Sequence, residues 1–383
     1  MERVEAVVIG AGPAGLAAAS MLRKRGVDAI VVERDSIGSS WRRHYERLHL
    51  HTVRWLSALP GLPFHRREGK WVSREGVVRY LERYANHHSL DVRTGVEVRG
   101  LVREDGAWTV ETSGGPVGAQ VVVVATGHNR DPVLPDWPGR ETFTGEVVHS
   151  QDYRNPEPYA GRSVLVVGTG NSGAEICVDL VEGGAAEVRI SVRTPPNILR
   201  RDLAGFPTQV TGVLMRRLPT KVVDVLSAGM QRLAVGDLTR YGMPRPTAGL
   251  YSRVKRDMVP ILDVGLIGLL KKRKVRVVPA VDGFDGPDVL LAGGERIRPD
   301  AVIAATGFGR GLEPLVGGYG LVAETGRPVV HGAATHPDAP NLHFIGFTNP
   351  ISGNLREIGI DARRLARAVA RAMPAAPRRE RTG

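Results

Sequence analysis

The chain of 383 residues has one cysteine, few aromatic residues and no long apolar run, and each shortage excludes something. With Cys177 alone no internal disulfide can form. No Cys-x-x-Cys pair exists, so electron relay through a redox-active dithiol is excluded. Cys177 falls in an apolar stretch of helical periodicity, where a small core residue is the plain reading. Aromatic residues make up 5% of the chain, too few for base-stacking platforms, and the 52 basic residues are dispersed rather than striped. Nucleic acid is therefore not an expected partner, despite a formal net charge of +12. Anionic small molecules and a solvated surface account for that excess equally well. No run of about 18 apolar residues occurs, so no stable membrane insertion is expected. The N-terminus reads directly into a strand, leaving no room for a secretory signal, and the expected compartment is the cytoplasm. No metal-ligand cluster and no nucleophile triad is legible.

What is present in quantity is glycine, 47 residues of it, as expected where backbone approaches ligands closely or turns tightly. The length suggests roughly two or three domains. Ala6 to Ile9 is a short β-branched apolar run, followed by Gly10-Ala11-Gly12-Pro13-Ala14-Gly15 and a helical segment to about Arg25. Gly26 stops that helix, and Ala29 to Val32 forms a second strand ending in Glu33. The pattern returns in mid-chain. Ser163 to Val167 is a strand, Gly168-Thr169-Gly170-Asn171-Ser172-Gly173 a turn, and a helix runs to about Glu182. Val188 to Val192 is the next strand, ending at Arg193. Two further strands end alike: Val121 to Val124 leads into Ala125-Thr126-Gly127, and Ala301 to Ala304 into Ala305-Thr306-Gly307. Between about 208 and 256 amphipathic helices alternate with Pro and Gly. From Pro374 a Pro- and Arg-rich tail reads as disordered.

A glycine turn alone is weak evidence, but here each copy lies between a strand and a helix. In the first, Gly10 permits the turn, Gly12 lets backbone approach a pyrophosphate, and Gly15 lets helix and strand touch. The helix N-terminus then faces the phosphates, with Pro13 in the first turn where its missing N–H costs nothing. The alternative is a structural βα turn with no ligand. Glu33 stands about 20 positions on, where a carboxylate accepts ribose hydroxyls, which suits FAD. Arg193 holds the matching place in the second unit and would pair with the 2′-phosphate of NADPH; otherwise it is a solvated charge.

Just before the second turn lies Phe143-Thr144-Gly145-Glu146-Val147-Val148-His149-Ser150-Gln151-Asp152-Tyr153. Its spacing F-x-G-x-x-x-H-x-x-x-Y resembles the identifying motif of the class B flavin monooxygenases. The resemblance extends over nearly the whole chain and is nearest to the YUCCA-like branch. It is carried by Trp41 to Pro63, the second glycine turn, Pro260-Ile261-Leu262-Asp263-Val264-Gly265, Ala305-Thr306-Gly307-Phe308, Phe344-Ile345-Gly346-Phe347 and Asp361-Ala362-Arg363-Arg364. Tyr153, where Baeyer–Villiger members have Trp, sets the chain apart from that subclass. His51 occupies the place of an asparagine that supports the peroxide in animal-type members.

The resemblance implies a fold of two doubly wound Rossmann-like α/β domains. An FAD domain of residues 1–157 and 299–373 would be interrupted by an NADPH domain over 158–298. It also implies an oxidoreductase in which NADPH reduces FAD, dioxygen adds at the flavin C4a carbon, and one oxygen atom enters a small organic substrate. Oxidative decarboxylation of an aryl 2-oxo acid and N- or S-oxygenation are the candidate outcomes. The expected FAD contacts are Gly10, Gly12, Pro13, Ala14, Gly15, Glu33, Arg34, Trp41, Val98, Ala125, Thr126, Gly127, Gly346 and Phe347. For NADPH they are Gly168, Gly170, Asn171, Ser172, Gly173 and Arg193, with His149, Thr306 and Gly307 beside the linker. His149 reads there as a brace rather than a catalyst. His51, Asn171 and Arg201 are the catalytic candidates. Arg200 and Arg201 read either as partners for a substrate carboxylate or as a solvated pair. The 208–256 region reads as a lid, a homodimer surface or a membrane-surface contact, with lid or dimer favoured. The rival readings are an NADPH-dependent flavin oxidoreductase that inserts no oxygen and a non-catalytic flavin-binding protein.

Overall fold

The computed structural model describes residues 1–203, 205–215, 218–255 and 258–373. The tail expected from Pro374 lies outside them. The strand Glu2–Ile9 pairs in parallel with Ala29–Glu33 on one side and Val117–Val124 on the other. Asp91–Thr94 extends the sheet beyond Ala29–Glu33, and Leu342–Phe344 joins Val117–Val124 in parallel. An antiparallel meander of Val98–Glu104 and Ala107–Thr112 completes it. Both faces are covered, which is why its inner strands read as unbroken apolar runs. Alternate residues of the first strand serve opposite layers. Ala6 and Val8 pack under the helices Pro13–Arg23, Arg74–His87 and Asn354–Ala372. Val7 and Ile9 pack with Trp108, Leu312 and Phe344 on the other side.

The second sheet is all parallel, in the order Val275–Val278, Glu187–Ser191, Ser163–Val167, Ala301–Ala304, Glu146–His149. It repeats the same layering. Val164 and Val166 face the helix Asn171–Glu182, while Leu165 and Val167 face a small antiparallel sheet built on Val281–Asp285. The sheets divide the chain differently from the boundaries expected at 157 and 298. Glu146–His149 and Ala301–Ala304 both belong to the second sheet, because each completes the parallel pairing around Ser163–Val167. The two crossings between sheets are zipped together: Asp131–Pro132 pairs with Phe308–Gly309, and Val133 donates to the Gly307 carbonyl. The 208–256 region contains the helices Thr208–Met215, Thr220–Ala234 and Leu250–Val254. No helix among the described residues is long and apolar enough to cross a membrane.

Candidate active site

The two glycine turns are copies down to which glycine is crowded. A Cβ on Gly10 would lie 2.8 Å from the Ala125 carbonyl oxygen, and one on Gly168 would lie 2.3 Å from that of Ala305. Both glycines have positive φ, +105° and +119°. A Cβ on Gly15 or Gly173 would strike the carbonyl oxygen of Gly10 or Gly168, at 1.9 and 2.2 Å. Beside Gly12 and Gly170 there is open space, as a site for close-approaching phosphates requires. Each turn is therefore built by a repeated strand–Ala-Thr-Gly partner on the neighbouring strand.

A cavity of about 460 Å³ begins at the first turn. It is lined there by Gly10, Gly12, Pro13, Ala14, Glu33, Arg34, Trp41, Val98, Ala125, Thr126, Gly127 and Gly346. Glu33 is buried; its Oε2 accepts from the Ala11 N–H at 2.8 Å, so the carboxylate is held against the turn it serves. Thr126 Oγ1 is buried without a hydrogen-bond partner. An orphaned hydroxyl beside an open glycine turn fits a polar, phosphate-bearing ligand such as FAD. Gly15 does not face the cavity, since its role is contact with Gly10. Phe347 is buried beside Phe344, in the core rather than the cavity wall.

Of the second turn only Asn171 reaches this cavity; Gly168, Gly170, Ser172, Gly173 and Arg193 lie outside its lining. The Asn171 amide accepts from the Leu262 N–H at 2.7 Å and reaches the Pro260 carbonyl at 3.4 Å, pinning the segment that continues the cavity wall. Arg193 is exposed with no ion pair or side-chain hydrogen bond among the described residues, open to an anionic group from solvent.

Three residues of the motif before the second turn make close contacts within the protein. Gln151 N–H donates to His149 Nδ1 at 3.1 Å, so the ring proton sits on Nε2 and points to the Gly307 carbonyl, also at 3.1 Å. Burial holds this imidazole below its usual range, and it is neutral. It thus clamps the Ala305-Thr306-Gly307 turn, while the Thr306 hydroxyl bonds the Val133 carbonyl. Gly145 is small because a Cβ would lie 2.8 Å from the Asp300 carbonyl oxygen and against the Phe143 ring. Tyr153 donates to Asp179 at 2.8 Å in the core.

The rest of the cavity runs under the helical region, past Leu199, Arg200, Met215, Val223, Met230, Leu250 and Leu262. His51 is on its wall. Arg201 is not: its guanidinium stacks on the Trp71 ring at 4.5 Å, and burial pulls its pKa down. Of the two arginines expected to meet a substrate carboxylate only Arg200 faces the cavity, because successive residues of an extended segment point to opposite sides. Arg200 lines the cavity, its Nε donating to the Ala234 carbonyl at 2.8 Å. Two residues were missed in the sequence. Gln209, buried, accepts from the Val53 N–H at 2.9 Å and donates to the Ser352 carbonyl at 2.8 Å, tying the helical region to the first domain. Glu175 lies 2.8 Å from His51 Nε2. No local pattern marks either, since each acts across more than a hundred residues. Cys177 is buried and burial pushes its thiol up, as a core residue requires. Among the described residues no group of three or more metal-binding side chains assembles.

Two glycine turns of the dinucleotide-binding kind on two Rossmann-type sheets define the class: a protein built with two nucleotide sites. The comparisons agree. The family described as pyridine nucleotide-disulphide oxidoreductase matches residues 7–204. A rice (Oryza sativa subsp. japonica) protein named indole-3-pyruvate monooxygenase YUCCA1 is 39% identical over 79% of this chain and 76% of its own length. A probable indole-3-pyruvate monooxygenase, YUCCA3 of Arabidopsis thaliana, is 32% identical over 89% of this chain and 82% of its own. Among solved structures, a flavin-containing monooxygenase from Stenotrophomonas maltophilia superposes with a TM-score of 0.74 at 26% identity, covering 96% of this chain and 98% of that one. The chain belongs to the class B flavin monooxygenases, in their YUCCA-like branch. It is an FAD- and NADPH-dependent monooxygenase, acting with dioxygen on a small molecule.

Proposed function

We propose that the substrate is an aryl 2-oxo acid, oxidatively decarboxylated in the chamber beneath the helical region. One observation carries this reading: that chamber is walled mainly by apolar side chains, with Thr208, Gln209, Thr211, Ser227 and Gln231 among them, and Arg200 is the one charged residue among its described lining between 199 and 262. An aromatic body suits the apolar wall, and a carboxylate suits the guanidinium. The names of the plant relatives, indole-3-pyruvate monooxygenases, point the same way. Overall, NADPH, dioxygen, a proton and the 2-oxo acid give NADP⁺, water, carbon dioxide and an acid one carbon shorter.

FAD supplies the two-electron reaction with dioxygen, which no side chain here can perform. The protein's part is to bind, orient and exclude water. Gly10, Gly12, Pro13 and Ala14 receive the FAD pyrophosphate, with Glu33 toward the ribose and Thr126 completing the wall. The second turn, with Gly168, Gly170, Ser172 and Gly173, receives NADPH, and Arg193 pairs with its 2′-phosphate. Asn171 spans both sites. The inner face of Thr208–Met215 and Thr220–Ala234 walls the chamber, which supports the lid reading, with Gln209 as its tie. The outer face exposes Leu214, Val222, Val225 and Leu226, which supports a homodimer through that face, testable by equilibrium sedimentation.

The test supplies indole-3-pyruvate and phenylpyruvate with NADPH and ¹⁸O₂. The expected products are carbon dioxide and the shortened acid carrying one ¹⁸O. Arg200→Met should raise KM for the 2-oxo acid about tenfold or more, the loss of one charge-assisted pair. NADPH consumption yielding hydrogen peroxide alone, or oxygenation only of amines and sulfides, would overturn the proposal.

A further inference from the structure

We propose that Gln231 determines specificity: its side-chain carbonyl accepts the ring N–H of the substrate, so that among aryl 2-oxo acids the chamber selects those whose ring carries an N–H donor. The inference rests on the reading of that chamber as the substrate site. On the helix Thr220–Ala234 the cavity is lined by Val223, Ser227, Met230, Gln231 and Ala234, a spacing that puts them on one face. Gln231 is thus a half-buried polar side chain on the inner face of the helical region.

The orientation of its amide follows from a chain of hydrogen bonds that starts at the backbone. The Ala248 carbonyl can only accept, and it takes a bond from Asn197 Nδ2 at 3.4 Å. Asn197 is buried, and its main-chain carbonyl accepts from the Ile261 N–H at 2.9 Å. With Nδ2 so used, Asn197 turns Oδ1 toward Gln231 and accepts from Nε2 at 3.3 Å. Gln231 Nε2 is therefore committed, and Oε1 is the end left over. It has no hydrogen-bond partner among the described residues, and unlike Ser227 Oγ one turn earlier it is not sealed by the protein around it. An amide oxygen accepts and never donates, so the group it fits is a neutral N–H or O–H.

The anchor for the other end of the ligand lies one turn on. The Ala234 carbonyl accepts from Arg200 Nε at 2.8 Å, which leaves the Nη groups of that guanidinium for a carboxylate. Gln231 and Ala234 are three residues apart, about 4.5 Å along the helix axis. A molecule with a carboxylate at one end and a ring N–H at the other spans these two points. The apolar wall of Val223, Met230, Leu250 and Leu262 holds the faces of an aromatic ring but does not tell an indole from a ring of the same shape without the N–H. Because Oε1 is not sealed, water satisfies it when the ligand brings no donor. The discrimination is therefore that of one net hydrogen bond, about tenfold, rather than the far larger factor of a buried acceptor left unpaired.

The test measures binding without turnover. The oxidised, FAD-loaded enzyme with NADP⁺ is titrated with indole-3-pyruvate and with its benzothiophene analogue, in which sulfur replaces the ring N–H. Flavin absorbance reports the two dissociation constants. The unmodified protein should bind the indole about tenfold more tightly, a comparison that needs no substitution. Gln231→Met should bring the two affinities within about twofold of each other by weakening the indole alone. Gln231→Glu, which keeps an acceptor in place, should preserve the preference even where the added charge weakens both acids. Equal affinities in the unmodified protein, no binding of either acid, or a preference that persists in Gln231→Met would overturn the proposal. If the preference behaves as expected but neither acid is decarboxylated, the recognition by Gln231 stands and the reading of the reaction falls.

Discussion

The two nucleotide turns share a backbone and differ in their surroundings. Both have a positive-φ first glycine pressed on a neighbouring carbonyl, an open second glycine, and a third glycine seated on the first. At the first turn the strand-end acid is buried and bonded to Ala11 N–H, and the turn opens into the cavity. At the second the strand-end residue is an exposed arginine, and only Asn171 touches the cavity. The same backbone device thus stands in two different surroundings. A turn set in a cavity beside a preorganised acceptor suits a cofactor that stays, and an open turn with an unpaired cation suits one that is exchanged each turnover.

The comparison breaks most visibly at the third glycines. Gly15→Ala and Gly173→Ala should each destabilise by about 3 kcal/mol or more, because the added carbon meets backbone that cannot yield. Gly12→Ala and Gly170→Ala, with open space beside them, should leave the apoprotein's thermal midpoint nearly unchanged. The first should lose FAD and the second only NADPH, which flavin absorbance and NADPH titration separate. An equal loss of flavin in both would show that the turns are not specialised.

Each sheet also carries a buried neutral histidine, His343 in the first and His149 in the second. Burial lowers the His343 pKa to about 4 and lowers that of His149 as well. A depressed folded-state value means that the unfolded chain takes up the proton first. Stability is therefore intact above about pH 6.5 and falls as the pH drops toward 4, by about 1.4 kcal/mol per unit for a fully shifted group. Urea midpoints for His343→Gln should flatten this slope, and a slope that persists would place the titrating group elsewhere.

Arg193→Ala sharpens the contrast at the strand ends. KM for NADPH should rise about tenfold, one charge-assisted contact, while FAD content and the NADH-supported rate hold steady. The smallest effect expected is on the motif before the second turn. Tyr153→Phe removes the donor to Asp179 and should cost about 1–2 kcal/mol in a denaturant melt, without changing NADPH affinity.

Much of this was legible along the chain. The two strand–turn–helix units appear where the glycine spacing puts them, with helices at Pro13–Arg23 and Asn171–Glu182. The reading of Cys177 as core follows from residue chemistry and local periodicity. Other features were not legible. The sheet that takes Glu146–His149 and Ala301–Ala304 depends on strand pairing between distant segments, and parallel strands leave no hairpin signal. Arg200 and Arg201 are indistinguishable by type; their sides were set by the phase of an extended segment and by Trp71, far away in sequence.

By itself, then, the sequence determined the two nucleotide units, their order, and the acid and the arginine that end their second strands. These are short-range matters of backbone freedom and charge, written within about 25 residues of each glycine turn. Only the tertiary structure decided that one turn opens into a large cavity and the other lies outside it. It also decided that Arg200 rather than Arg201 lines the chamber, and that Glu175 and Gln209 reach across to residues 51 and 53. Those choices depend on which surfaces meet when two domains pack, and no local pattern encodes a contact between side chains that the chain brings together only on folding.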